Sequence, residues 1–218
     1  MELWIDSANV EEMKTAKSWG FISGVTTNTT KIAQQKRSFK ELLEEICTIM
    51  KDYPVSVMAV QHQYASEDVM VRDGRELVDL HPNIVVKLPP SFEGFKAAKV
   101  LGKSGIRTNI TLVFSVPQAL LAARVGATYV SPFIGRLDDV GENGLNLLRD
   151  IRTAYANYGF STKILAAALR SPLHVAQSAI IGADIATGAF DVLKILPDHP
   201  LTNVGLASFL EDWKQVRG

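Results

Sequence analysis

Residues 84–133 read IVVKLPPSFEGFKAAKVLGKSGIRTNITLVFSVPQALLAARVGATYVSPF, and the order of elements within them decides the fold. Three short runs rich in β-branched residues, IVVKL at 84–88, RTNITLV at 107–113 and TYVSPF at 128–133, alternate with two longer stretches of helical period. Strands separated by single helices must run parallel, because a parallel return needs a crossover. Strands that are apolar throughout are buried on both faces.

The same unit recurs on either side. Further strands are expected at 2–6 (ELWID), 21–27 (FISGVTT), 54–61 (PVSVMAVQ), 162–167 (TKILAA) and 184–187 (DIAT), each followed by a helix, which makes eight units. Helix starts are marked by Asn9 three residues before Glu12, Ser115 three before Gln118, and Ser171 before Pro172. Gly20, Gly105, Gly126, Gly159 and Gly182 fall where a helix should stop. Eight β/α units predict closure into a (β/α)8 barrel. A doubly wound open sheet competes, but no G-x-G-x-x-G turn follows the first strand and eight units exceed what such a sheet needs. GLASFLEDWKQVRG at the end predicts one more amphipathic helix over 205–217, with Leu206, Phe209, Leu210 and Trp213 on one side. In a barrel it would cap the bottom or pack on a neighbouring subunit.

Composition narrows the partners. The 218 residues are 47% apolar, enough for one substantial core, so a single domain is expected. Lys plus Arg and Asp plus Glu balance at 23 each, which leaves no general field for nucleic acid or an anionic membrane and points to a small ligand. No apolar run has the roughly 18 residues needed to span a bilayer, and Glu2 and Asp6 interrupt the first apolar stretch, so a cytoplasmic protein is expected. Cys47, in LLEEICTIM, reads as a small core residue. No His, Cys, Asp or Glu cluster has metal spacing.

Barrels carry chemistry at the C-terminal ends of their strands. That rule selects Asp6, Thr27, Asn28, Gln61, Lys87, Asn109, Thr111, Ser131 and Arg136. Lys87 stands out as an ammonium inside an otherwise apolar strand. Its burial should lower its pKa and give an amine able to attack a carbonyl; equally, it could snorkel to solvent or pair with Asp6 for structure. Asp6 could cap the first helix, although Asn9 already suits that role, or carry protons beside a reactive lysine. Arg136 and Arg170 suit a phosphate clamp, with Asp138 or Asp139 as alternative partners for Arg136. His62 and His174 read as packed or surface residues.

The motifs DSAN (6–9), GVTTN (24–28), VVKLP (85–89), the stretch from Thr108 to Asp139, and KILAA followed by RSPLHV (163–175) resemble the transaldolase family along the whole chain. The resemblance is strongest to its short subfamily of small transaldolases and fructose-6-phosphate aldolases. It implies a β/α-barrel that uses no metal or organic cofactor, with Lys87 as Schiff-base lysine and Asp6 as acid/base. Asn28 and Asn109 would bind the dihydroxyacetone portion of the substrate, and Thr111 would help hold the catalytic water. Gln61 stands where transaldolases have glutamate and fructose-6-phosphate aldolase has glutamine, whereas Phe133 stands where the aldolase has tyrosine. Thr29 replaces a proline, and Ala168 removes a hydroxyl from what resembles the phosphate site. The implied partners are a sugar phosphate, or a ketose with another terminal anion such as a sulfonate, and an aldehyde acceptor. A homo-oligomer is also implied, a decamer of pentameric rings in relatives. A non-catalytic sugar-phosphate-binding barrel is the other reading those departures allow.

Overall fold

A computed structural model describes residues 1–58 and 65–216. The chain alternates β1 (Glu2–Asp6), α1 (Val10–Ser18), β2 (Ile22–Thr26), α2 (Thr29–Gln34), α3 (Phe39–Ile49), β3 (Val55–Met58), α4 (Glu67–Leu80), β4 (Ile84–Leu88) and α5 (Phe92–Lys103). It continues through β5 (Thr108–Val113), α6 (Val116–Arg124), β6 (Tyr129–Pro132), α7 (Ile134–Asp138), α8 (Gly144–Tyr158), β7 (Lys163–Leu169) and α9 (Pro172–Ile181). The last elements are β8 (Ile185–Gly188), α10 (Phe190–Lys194) and α11 (Pro200–Val216). The strands are parallel, and the pairing of β1 with β8 closes the predicted (β/α)8 barrel in sequence order.

The helix signals act as read. Asn9, Ser115 and Ser171 each accept backbone N–H bonds at the starts of α1, α6 and α9. Gly159 and Gly182 end α8 and α9 in the left-handed conformation. Cys47 is buried in α3, where desolvation pushes its thiol up to about 12.

The period of two along each strand sorts side chains between two environments. Ile5, Val25, Val57, Val86, Leu88, Ile110, Val130 and Ile164 face the helices and form the main core. Inside the barrel, Trp4, Val85, Tyr129, Leu165 and Ile185 fill the lower lumen. Gly24 is required there, since a Cβ at that position would lie 2.3 Å from the Trp4 ring. Moving two residues toward the C-terminal end of β1, β4, β6 and β8 replaces Trp4, Val85, Tyr129 and Ile185 with Asp6, Lys87, Ser131 and Thr187. An apolar plug therefore supports a polar layer.

Three details depart from expectation. Strand β7 runs two residues past 167, through Ala168 at φ 58°, and β5 has Leu112 at the same angle. Each residue lies in a register shift that bends the strand end. The last helix begins at Pro200 rather than 205 and does not cap the barrel: none of its residues is buried, and Leu206, Phe209 and Leu210 are each more than half exposed. Among the described residues no helix is long and apolar enough to cross a membrane.

Candidate active site

The polar layer opens into a cavity of about 660 Å³ at the C-terminal ends of the strands. Asp6, Thr27, Asn28, Lys87, Thr111, Ser131, Phe133, Arg136, Ala168 and Arg170 all line it, so most of the residues selected from sequence converge on one space. Asn109 lies just below the lining with no exposed surface. Its amide donates to Ser56 Oγ at 3.0 Å and its carbonyl accepts from Ser131 Oγ at 2.8 Å. Gln61 and His62 lie outside the described residues.

Lys87 is 6% exposed, on a strand whose five residues are all buried. Desolvation pushes its ammonium down to about 8, against the opposing pull of the Asp6 charge. Nζ donates to the Thr27 carbonyl at 2.7 Å. At pH 7 a pKa near 8 leaves about one molecule in ten neutral, against about one in three thousand for an ordinary lysine. Of the three readings of Lys87, snorkelling is excluded by its burial, and its hydrogen bond goes to the Thr27 carbonyl rather than to Asp6. Asp6 Oδ1 accepts from Thr26 Oγ1 at 2.9 Å, and that hydroxyl lies 2.7 Å from Thr187 Oγ1. Asn9, not Asp6, caps α1. The carboxylate is therefore held by the barrel wall and faces the cavity.

The rim differs in character. Arg136 is exposed and lies 5.5 Å from the centre of the Phe133 ring, with no carboxylate partner among the described residues. Asp139 pairs instead with Arg170 at 2.7 Å, both largely exposed. Asp138 accepts from Gly144 N and lies 3.3 Å from His174 Nε2, while His174 Nδ1 accepts from Arg170 N. Gly135 is forced by close approach, because a Cβ there would sit 2.3 Å from the Ala168 carbonyl oxygen. The bent end of β7 and the start of α7 thus meet beneath the two arginines.

The family described as Transaldolase/Fructose-6-phosphate aldolase matches residues 3–218. The chain belongs to that family. A probable transaldolase of Dictyoglomus turgidum is 54% identical over 216 residues, covering 99% of both chains. One of Moorella thermoacetica is 53% identical over 217 residues, covering 100% of this chain and 99% of that one. A thiamine phosphate pyrophosphorylase from Pyrococcus furiosus shares the fold, with a TM-score of 0.61 over 86% of this chain and 85% of that chain at 16% identity.

Within this transaldolase-family barrel the sequence departures are local. Thr29 is the first residue of α2, and the helix forms without a proline there, capped by Asn28 Oδ1 on the Lys31 N–H. Ala168 lines the cavity in left-handed backbone, and Phe133 meets Phe114 edge to face at 5.9 Å. Sequence reasoning missed Thr26, Thr187, Ser56 and Lys31. The first three carried a usable signal, a polar residue at a lumen position of a buried strand. Lys31 carried none, because a lysine on a short helix reads as solvated.

Proposed function

We propose that this chain is a Schiff-base aldolase of transaldolase type that moves a dihydroxyacetone unit from a ketose phosphate such as fructose 6-phosphate to an aldehyde acceptor. One observation carries the reading: the cavity floor holds a buried lysine whose pKa is lowered to about 8, close enough to the cavity-facing carboxylate of Asp6 to feel its charge. That combination suits an amine that must be neutral to attack and a group that must move protons.

The steps follow from these roles. Neutral Lys87 Nζ adds to the ketose C2 carbonyl, and the resulting carbinolamine loses water to give a protonated imine. The C3–C4 bond then breaks, its electron pair moving into the imine to form an enamine, while the C4 hydroxyl proton passes to Asp6 and the aldehyde leaves. The enamine attacks the acceptor carbonyl, whose oxygen takes that proton back. Water hydrolyses the new imine and frees Lys87. Arg136, unopposed by a carboxylate, is suited to the substrate's terminal phosphate, and Arg170 would join it by exchanging Asp139 for the ligand.

Direct release of dihydroxyacetone is the second reading, favoured by the glutamine at position 61. Phe133, which brings no hydroxyl to orient a water, and relatives named probable transaldolase favour transfer. Borohydride reduction with fructose 6-phosphate should leave a stable adduct on the Lys87 peptide. Product analysis with and without an acceptor separates transfer from release. A Lys87→Ala protein that still traps ketose would overturn the assignment.

Assembly belongs to the same reading. The exposed apolar residues of α11 support a homo-oligomer in which this helix packs on a neighbouring copy. Light scattering should give a multiple of 23.9 kDa for the full chain and a smaller species for a chain ending at residue 199.

A further inference from the structure

Lys31 has no part in the mechanism above, yet it lines the cavity and its Nζ lies 3.7 Å from Asp6 Oδ2. It sits on the six-residue helix α2, short enough that its last turn begins at this residue. Asn28 caps the Lys31 N–H, which fixes the turn from which the side chain reaches Asp6.

The two oxygens of Asp6 are treated differently. Oδ1 is held by the Thr26 hydroxyl, itself against Thr187, whereas Oδ2 faces the Lys31 ammonium at ion-pair distance but beyond hydrogen-bond length. Among the described residues no hydrogen-bond donor occupies Oδ2, which leaves it able to accept from a substrate hydroxyl. We propose that Lys31 is a positioning residue for the carbon–carbon step, its charge holding the Asp6 carboxylate toward the substrate and favouring return of the proton from Asp6 to the acceptor oxygen. The inference rests on the Schiff-base reading of Lys87 and Asp6, and goes beyond it by separating imine formation from bond cleavage: Lys31 bears on the second and not the first.

That separation is testable with Lys31→Met and Lys31→Arg in the full-length protein. Borohydride trapping with fructose 6-phosphate should label Lys87 in Lys31→Met to the wild-type extent. Its kcat with an acceptor aldehyde should fall about tenfold or more, with KM within about twofold, and Lys31→Arg should recover most of the loss. A single ion pair at 3.7 Å, beyond hydrogen-bond length, contributes little to folding, so the melting temperature should hardly move and trapping doubles as the check on fold. Unchanged kcat in Lys31→Met, a loss confined to KM, loss of trapping, or no recovery by arginine each overturns the inference alone. Wild-type protein that traps no ketose on Lys87 overturns the reading beneath it.

Discussion

The floor and the rim of the cavity hold charge by opposite means. On the floor, Lys87 and Asn109 are carried by strands and almost wholly buried, and their hydrogen-bond partners among the described residues are strand residues or the Thr27 carbonyl. On the rim, Arg136 and Arg170 sit beyond the strand ends, exposed to solvent, one against an aromatic ring and the other in an ion pair that water can replace. A buried ammonium destabilises the fold in proportion to its desolvation and is tolerated where its reactivity is needed. An exposed arginine destabilises nothing and can be exchanged readily. Chemistry is therefore expected to be fixed at the floor, and choice of substrate adjustable at the rim.

The strongest way to break this contrast is Lys87→Met. Turnover should fall by a factor of about ten thousand or more, while the protein becomes more stable at pH 7 by up to about 3 kcal/mol, because a group at about 8 when folded and 10.5 when free disfavours folding while protonated. The sign has a pH signature. Below about 8 the wild type carries the full penalty; between 8 and 10.5 only the unfolded chain still binds the proton, so wild-type stability rises and the gap to Lys87→Met closes. Denaturant melts at pH 7 and pH 10 measure it, and a gap that widens with pH would refute the buried-ammonium account.

Asp6→Asn comes next. It keeps the hydrogen bond to Thr26 but cannot accept a proton, and kcat should fall about a hundredfold to a thousandfold with trapping on Lys87 preserved. At the rim, Arg136→Ala should act mainly on KM for phosphorylated ketose, by about 1.5 to 3 kcal/mol, and leave unphosphorylated ketose unaffected. Smallest of all, Asp139→Asn frees Arg170 from its ion pair and should lower KM by roughly fivefold at most, since an exposed pair is worth about 1 kcal/mol or less. Equal effects of Arg136→Ala on both substrates would erase the division between floor and rim.

The barrel was legible because its strands are. IVVKL is buried from end to end, and its predicted and observed limits coincide at 84 and 88. Strand β7 was read two residues short because its end passes through left-handed Ala168, a conformation that costs a non-glycine residue about 1 kcal/mol and that no sequence pattern announces. Lumen residues were found at Lys87, Asn109 and Ser131, where polarity interrupted an apolar strand, while Thr26, Ser56 and Thr187 carried the same signal and were passed over. The depth of each was not legible: Asn109 and Thr111 share a face of β5, yet only the residue nearer the mouth lines the cavity. Sequence proximity offered Asp138 or Asp139 as the alternative to a phosphate for Arg136, but Asp139 pairs with Arg170 instead. Lys31 was invisible because its meaning depends on Asp6, twenty-five residues earlier on a neighbouring strand.

The Trp4 ring that plugs the lower lumen also gives the molecule an optical signal. Three indoles occupy three environments: Trp4 is sealed inside the barrel with its N–H on Glu2, Trp19 is stacked between Phe21 and Phe190 near the barrel's outer wall, and Trp213 is more than half exposed on α11. Emission from the first should stay blue until the barrel opens, and emission from the last should shift blue when another chain covers α11. With Trp19 replaced by phenylalanine, one fluorescence spectrum would follow folding and assembly as separate events.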